Sequence, residues 1–190
     1  TPVADAWAKT PGRRGLYLGV DFSPVLLEEA RQTVQCPADE RIRIDFCQAD
    51  LASLEWRDCL APGDPYGAPD QFDVISAFAV FHHIPDSSVR QKICAAIFEH
   101  LKPGGVFALS VWQLHNSPKL MARLQPWERV NLSPEQLEEG DVLMDGRFAL
   151  PEQPEQTGLR YVHLFSREEL AELAVQSGFE ISETYESDGE

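Results

Sequence analysis

A chain of 190 residues with 43% apolar and 25% charged residues can bury one ordinary core, and its composition is globular, not disordered. The formal net charge of −15, from 31 Asp and Glu against 16 Lys and Arg, argues against autonomous nucleic-acid binding, which normally needs a basic face. A local patch built from Arg13, Arg14 and Arg160 stays compatible with that balance.

The longest apolar runs, VISAFAVF and VFALSVW, stop far short of bilayer length. The opening TPVADAWAKTPGRRG lacks the basic-then-apolar layout of a secretory signal, so a cytoplasmic protein without a membrane partner is expected. Cys36, Cys47, Cys59 and Cys94 form no CxxC pair and have no His at zinc-finger spacing. Reduced, partly buried thiols are therefore expected, with neither a disulfide framework nor a metal.

From residue 16 onward strand and helix patterns alternate, which predicts parallel βαβ units with right-handed crossovers. Residues 15 to 20 read as a buried strand, followed by Ser23 as N-cap and Pro24 at the first helical position; Leu26, Leu27, Ala30 and Val34 supply the apolar face. Residues 41 to 47 alternate, with Ile42, Ile44 and Phe46 inward, as in a half-exposed edge strand. Residues 51 to 56 suffice for at most a short helix before the loop APGDPYGAPD.

Residues 72 to 77 predict another buried strand, and a helix starts at Asp86 or Ser87 with Val89, Ile93, Ile97 and Leu101 as its stripe. Pro103-Gly104-Gly105 stops it, and residues 106 to 112 form a further strand. Residues 113 to 160 break the rhythm and carry an acid-rich run from Glu135 to Asp145; they read as an insertion or lid over the sheet's carboxyl edge. Ser166 with Glu169 makes a capping box, Leu170, Leu173 and Ala174 face inward, Gly178 ends the helix, and residues 179 to 185 form a last strand.

The residues at strand ends carry the chemistry, because open α/β sheets place ligands at their carboxyl edge. Asp21 could accept both hydroxyls of a ribose, or serve as a turn residue before Ser-Pro. Asp50 could accept the amino group of an adenine with Leu51 packed on the ring, or cap the short helix as an Asx turn. Ser76, Ala77 and Ala79 are small where a strand ends, so a ligand can approach the backbone, and His82 and His83 follow at the rim. No G-x-G-x-x-G, Walker loop, nucleophile elbow or zincin helix is present, so hydride and phosphoryl transfer lose support.

The segments LYLGVDFSP, FCQADL, FDVISAFAVFHHIP and LKPGGVFALSVW, in this order and spacing, resemble class I S-adenosylmethionine-dependent methyltransferases over nearly the whole chain. The resemblance implies a Rossmann-like, doubly wound, mostly parallel α/β sheet with helices on both faces. It also implies one partial domain over residues 1–190 that lacks the first, central strand with its glycine-rich loop, and a last strand. S-adenosyl-L-methionine would be the cofactor, with Asp21 at the ribose, Phe22 beside the adenine, and Asp50 at the adenine amino group flanked by Ala49 and Leu51. Ala77, Phe78 and Val80 would line the methionine end.

A narrower similarity, in FAVFHHI, SVW and LRYVHLFSREELAELAVQSGFEI, is to the branch that methylates a carboxymethyl group on tRNA wobble uridine. It implies a substrate pocket bordered by Trp112, Arg160 and Tyr161, with His82, His83 and His163 as candidate catalytic groups and no metal. The expected function is methyl transfer to a carboxylate or hydroxyl oxygen on modified tRNA or a small metabolite, with a basic partner subunit if tRNA is the acceptor. The alternatives are a catalytically incomplete methyltransferase-like partner module and a nicotinamide-dependent oxidoreductase. Without the glycine loop, the 190-residue segment alone is expected to bind the cofactor weakly or not at all.

Overall fold

The computed structural model describes residues 15–34, 42–60, 70–148 and 156–187. Arg13, Arg14, Cys36 and the loop over 61–69 lie outside them. The backbone packs as two compact units, Thr1–Gln71 and Phe72–Glu190.

In the first unit, β1 (Gly15–Asp21) and β2 (Ile42–Gln48) pair in parallel, from Gly15 opposite Ile42 to Asp21 opposite Gln48. The intervening α1 (Pro24–Thr33) begins as the sequence dictates: the Ser23 side chain accepts from the Leu26 N–H and Pro24 occupies the first turn. Its buried face is narrower than expected, with Leu27 inside and Leu26 exposed. In β2 the alternation gives way at the end, where Cys47 is buried. The short helix lies downstream of its expected place, as a 3-10 turn over Glu55–Leu60 that buries Trp56, Cys59 and Leu60.

A disulfide joins Cys47 to Cys59, whose Cα atoms are 6.3 Å apart, which corrects the expectation of reduced thiols at these positions. The pairing arises because the 3-10 turn folds back onto the end of β2, and a separation of 12 residues with no CxxC gives no sequence signal for it. Cys94 is a free, buried thiol.

In the second unit, β3 (Phe72–Phe78) and β4 (Leu101–Ser110) pair in parallel, linked by α2 (Ser87–Glu99), which Asp86 caps by accepting from the Ser88 N–H at 2.8 Å. The helix ends before the LKPGG segment, which instead opens β4 as a bulge: Leu101 faces Phe72, then Val106 faces Val74. Gly104 has φ +78°, and a Cβ on Gly105 would lie 2.9 Å from the Lys102 carbonyl oxygen, so both glycines are required there. β3 is not the fully buried strand expected, since Val74 and Phe78 alternate on an exposed face while Ala77 is buried.

The described residues beyond β4, in the segment expected as an insertion, hold regular elements. They form the one-turn α3 (Pro118–Met121) and an antiparallel sheet in the order β5 (Leu124–Gln125), β6 (Asp141–Phe148), β7 (Gln156–His163). Leu114, Met144 and Val162 centre its core, with Trp112, Leu120 and Val142 packed around them. Then α4 (Arg167–Gln176) starts on half of the expected capping box: Ser166 Oγ accepts from the Glu169 N–H, but the Glu169 carboxylate turns to His163. Residues 179 to 185 are not a strand, correcting the sequence expectation. Phe179 packs its ring 5.1 Å from Phe98 and 5.5 Å from Phe107, so its apolar character serves α2 and β4 without strand pairing.

Candidate functional site

Parallel pairing of β1 and β2 brings their carboxyl ends together. The Ala49 N–H donates to the Asp21 carbonyl at 3.1 Å and Gln48 Nε2 donates to the Phe22 carbonyl at 3.2 Å, which sets Asp21 and Asp50 on one edge. Each carboxylate spends Oδ1 on its own turn, accepting from the Ser23 N–H at 2.7 Å and the Ala52 N–H at 2.9 Å respectively. Oδ2 of each accepts no hydrogen bond among the described residues, so the turn role leaves a ligand oxygen available. Phe22 is 72% exposed, Ala49 is buried and Leu51 half-buried.

At the end of β3, Ala79 adopts φ +56° and its N–H donates to the Ser110 carbonyl at 3.0 Å, turning the chain into the short 3-10 segment Phe81–His83. His82 is not at the rim, as its sequence position suggests, but fully buried. Its Nδ1 accepts from the Trp112 N–H at 3.4 Å, which places the proton on Nε2, a buried atom without a partner. Burial above all, then His83 and Arg160, pushes its pKa down to about 3, so the ring is neutral.

His83 is half-buried and shows the opposite tautomer. Its Nδ1 lies 3.1 Å from the Tyr161 carbonyl oxygen, which can only accept, so Nε2 keeps its lone pair. Burial lowers its pKa, the hydrogen bond to Tyr161 partly offsets this, and the Arg160 charge lowers it further. Both imidazoles pack on Trp112, at 4.5 and 5.3 Å between ring centroids. The exposed Arg160 guanidinium lies 5.7 Å above the same indole and makes no ion pair among the described residues.

His82, His83, Trp112 and Arg160 thus come together, whereas the Tyr161 and His163 side chains lie on the opposite face of β7 by strand alternation. His163 is 1% exposed with both nitrogens engaged, Nδ1 at 2.7 Å from Asp141 and Nε2 at 2.8 Å from Glu169, which removes it from the pocket border the sequence implied. Tyr161 contributes its carbonyl to His83 while its hydroxyl donates to Asp141 at 2.6 Å. Burial, followed by Asp141, raises the pKa of that phenol.

Arg90 completes this second cluster. It is 1% exposed, donates to the Ile84 carbonyl at 3.0 Å and to Glu138 at 2.6 Å, and lies 3.4 Å from Glu169. Glu138, Asp141 and His163 offer ligand atoms within 4.8 Å of one another, but the Arg90 guanidinium already neutralises Glu138 where a cation would sit. Sequence reasoning missed Arg90, Glu138 and Asp141. The available signal was Arg90 itself, which shares the apolar stripe of α2 with Ile93, Cys94 and Ile97.

A family model described as a methyltransferase domain matches residues 12–184. Among solved structures, an S-adenosylmethionine-dependent methyltransferase from Clostridium acetobutylicum ATCC 824 is similar at 17% identity and TM-score 0.55, over 84% of this chain and 62% of that one. A second from Methanosarcina mazei is similar at 20% identity and TM-score 0.57, over 88% and 71% of the two chains. The glycopeptide N-methyltransferase MtfA, solved with S-adenosyl-L-homocysteine, is similar at 18% identity and TM-score 0.51, over 96% and 78%. The chain therefore spans less than two thirds of the first of these structures. No curated protein matches. At such identities the likeness establishes the fold, an α/β Rossmann-like one, in keeping with the parallel β1–β2 and β3–β4 pairs and their helical crossovers. By the family model, which covers nearly all of its length, the chain belongs to the methyltransferase domain family.

Proposed function

We propose that this chain takes part in S-adenosylmethionine-dependent methyl transfer to a carboxylate oxygen, on a modified tRNA nucleoside or a small metabolite. The observation that carries the acceptor class is Arg160: an exposed guanidinium, without an ion pair among the described residues, 5.7 Å above the Trp112 ring and beside two imidazoles whose pKa values burial lowers. Such a fork can bind a carboxylate bidentately, and the indole face favours the cation there.

The free oxygens of Asp21 and Asp50 fit the cofactor's ribose hydroxyls and adenine amino group, with Phe22, Ala49 and Leu51 flanking the base. Ala77 and Phe78, in the second unit, are assigned to its methionine end by the family resemblance alone. When bound, the cofactor supplies an activated methyl group on a sulfonium. Arg160 orients the acceptor, and a carboxylate already carries the attacking lone pair, so no base is required. His82, wholly buried, holds Trp112 by its backbone. His83 Nε2 keeps a lone pair and would serve as base only for a hydroxyl acceptor. The chain's −15 charge means that tRNA, if it is the acceptor, needs a basic partner subunit for its phosphates.

The test is transfer of labelled methyl to bulk tRNA and to a panel of small carboxylates, with base-labile methyl ester as the readout. Arg160→Ala should lose about 10- to 150-fold in kcat/KM, the worth of one charge-assisted contact of roughly 1.5 to 3 kcal/mol. His83→Ala should change little, and the rate should be flat across about pH 6 to 9 if no base acts. A rate that rises with pH and collapses in His83→Ala refutes the carboxylate acceptor in favour of a hydroxyl.

A further inference from the structure

The Cys47–Cys59 disulfide closes a loop around Ala49, Asp50 and Leu51, the segment assigned above to the adenine. Cys47 is next to last in β2, and Cys59 sits in the 3-10 turn over Glu55–Leu60. The hydrogen bonds described from Asp50 to Leu54 are short in range: Ala52 N–H to Asp50 Oδ1, Ser53 Oγ to the Asp50 carbonyl, and Leu54 N–H to the Leu51 carbonyl. Leu54 is also held at φ +61°, a conformation disfavoured for a residue with a side chain. The covalent link ties the far end of this turn to the strand that presents Asp50, in addition to the burial of Trp56 and Leu60.

We propose that Cys47 and Cys59 form a reversible thiol–disulfide switch, in which the oxidised state orders the Asp50 loop for the nucleoside and reduction releases it. The inference rests on the cofactor reading of Asp50. Chemically, one thiolate attacks an external disulfide, a low-molecular-weight or protein one, forms a mixed disulfide and expels one thiol. The second cysteine then attacks the mixed disulfide, forms Cys47–Cys59 and expels the other thiol, so two electrons and two protons leave the pair with the released thiols. Both cysteines are buried, at 6% and 5% exposure, so exchange requires the loop to open. A ligand that holds the loop closed must therefore protect the disulfide, by the same factor with which the disulfide tightens the ligand.

The experiment compares the full 190-residue chain oxidised, reduced, and as Cys47→Ser/Cys59→Ser without reductant. Amide hydrogen exchange over residues 48–60 is read without ligand, and affinity is read with S-adenosylhomocysteine as the probe. The reduced and double-serine forms should exchange faster over that segment and bind the probe about tenfold more weakly. In a glutathione redox titration, saturating probe should shift the thiol/disulfide ratio by that same factor. Equal exchange in all three forms, or unequal exchange with measurable and equal probe affinity, overturns the switch. The switch requires weak but measurable binding by the 190-residue chain, so the titration runs to about millimolar probe; absence of binding in every form overturns the cofactor reading and the switch together, and is thereby distinct from failure of the switch alone.

Discussion

Replacing Arg90 by Met tests whether the buried charge cluster holds the second unit together. The guanidinium is 2% exposed and bonds the Ile84 carbonyl at 3.0 Å, immediately after the histidine turn, while its cation lies 5.3 Å over Phe165. Methionine keeps most of the apolar volume but leaves the Ile84 carbonyl without this donor, at about 1 to 3 kcal/mol. It also strands Glu138 and Glu169, whose side chains are 36% and 33% exposed, so water compensates them in part and roughly 1 kcal/mol is lost there. The expected total is about 2 to 4 kcal/mol, below the roughly 3 to 5 for breaking a fully buried pair. Urea denaturation followed by tryptophan fluorescence measures it as a lower midpoint at unchanged m. Glu138→Gln, at the rim, should cost about 1 kcal/mol or less. A loss below about 1 kcal/mol in Arg90→Met, or equal losses in the two variants, refutes the assignment of Arg90 as the cluster's centre.

Burial alone would raise the Asp141 pKa, but hydrogen bonds from Tyr161 and His163 outweigh it and hold it below the ordinary 3.8. Its contribution is therefore present above the unfolded value and lost as pH falls through the lower folded one, so Asp141→Asn should flatten the loss of stability below about pH 4. Identical acid limbs in urea midpoints against pH would refute this. Burial pushes the Cys94 thiol up to about 12, so iodoacetamide at pH 8 should leave it unmodified in the native chain and label it in urea. Gly140 has φ +93° and a Cβ there would lie 2.8 Å from the Leu164 carbonyl oxygen, so Gly140→Ala should destabilise by about 1 to 3 kcal/mol; thermal melts showing no change would contradict the tight β6 start.

The parallel strands and the caps at Ser23 and Ser166 were legible because each rests on local chemistry: an apolar run, a hydroxyl, a proline in a first turn. The grouping of His82, His83, Trp112 and Arg160 was accessible only through family resemblance, since they come from three separate segments. What escaped was decided by tertiary partners. Glu169 fits a capping box by spacing, yet a buried imidazole and guanidinium at hand outcompete a single backbone N–H for its charge. Residues 179 to 185 have strand composition, but Phe179 meets two aromatic rings. The disulfide depended on where a 3-10 turn folds, which no spacing rule encodes.

The alternation of β7 explains why Arg160 makes no ion pair among the described residues of so acidic a chain. With 31 carboxylate side chains against 16 Lys and Arg, a guanidinium that can reach an acid will be neutralised, as Arg90, Arg123 and Arg167 are. Asp141 and Glu169 come close in sequence space to β7, but they engage the face that carries Tyr161 and His163. Arg160 projects from the other face, where Met144 and Val162 form an apolar core, the glycine at 146 adds no side chain, and Trp112 offers only its ring. The neighbouring histidines offer no compensating charge, since they are neutral or cationic, and burial and the guanidinium itself disfavour their protonation. A cation above an indole and without a carboxylate partner among the described residues suits an anion from outside the chain, and that asymmetry between the two faces is the physical basis for assigning the acceptor to the Arg160 side.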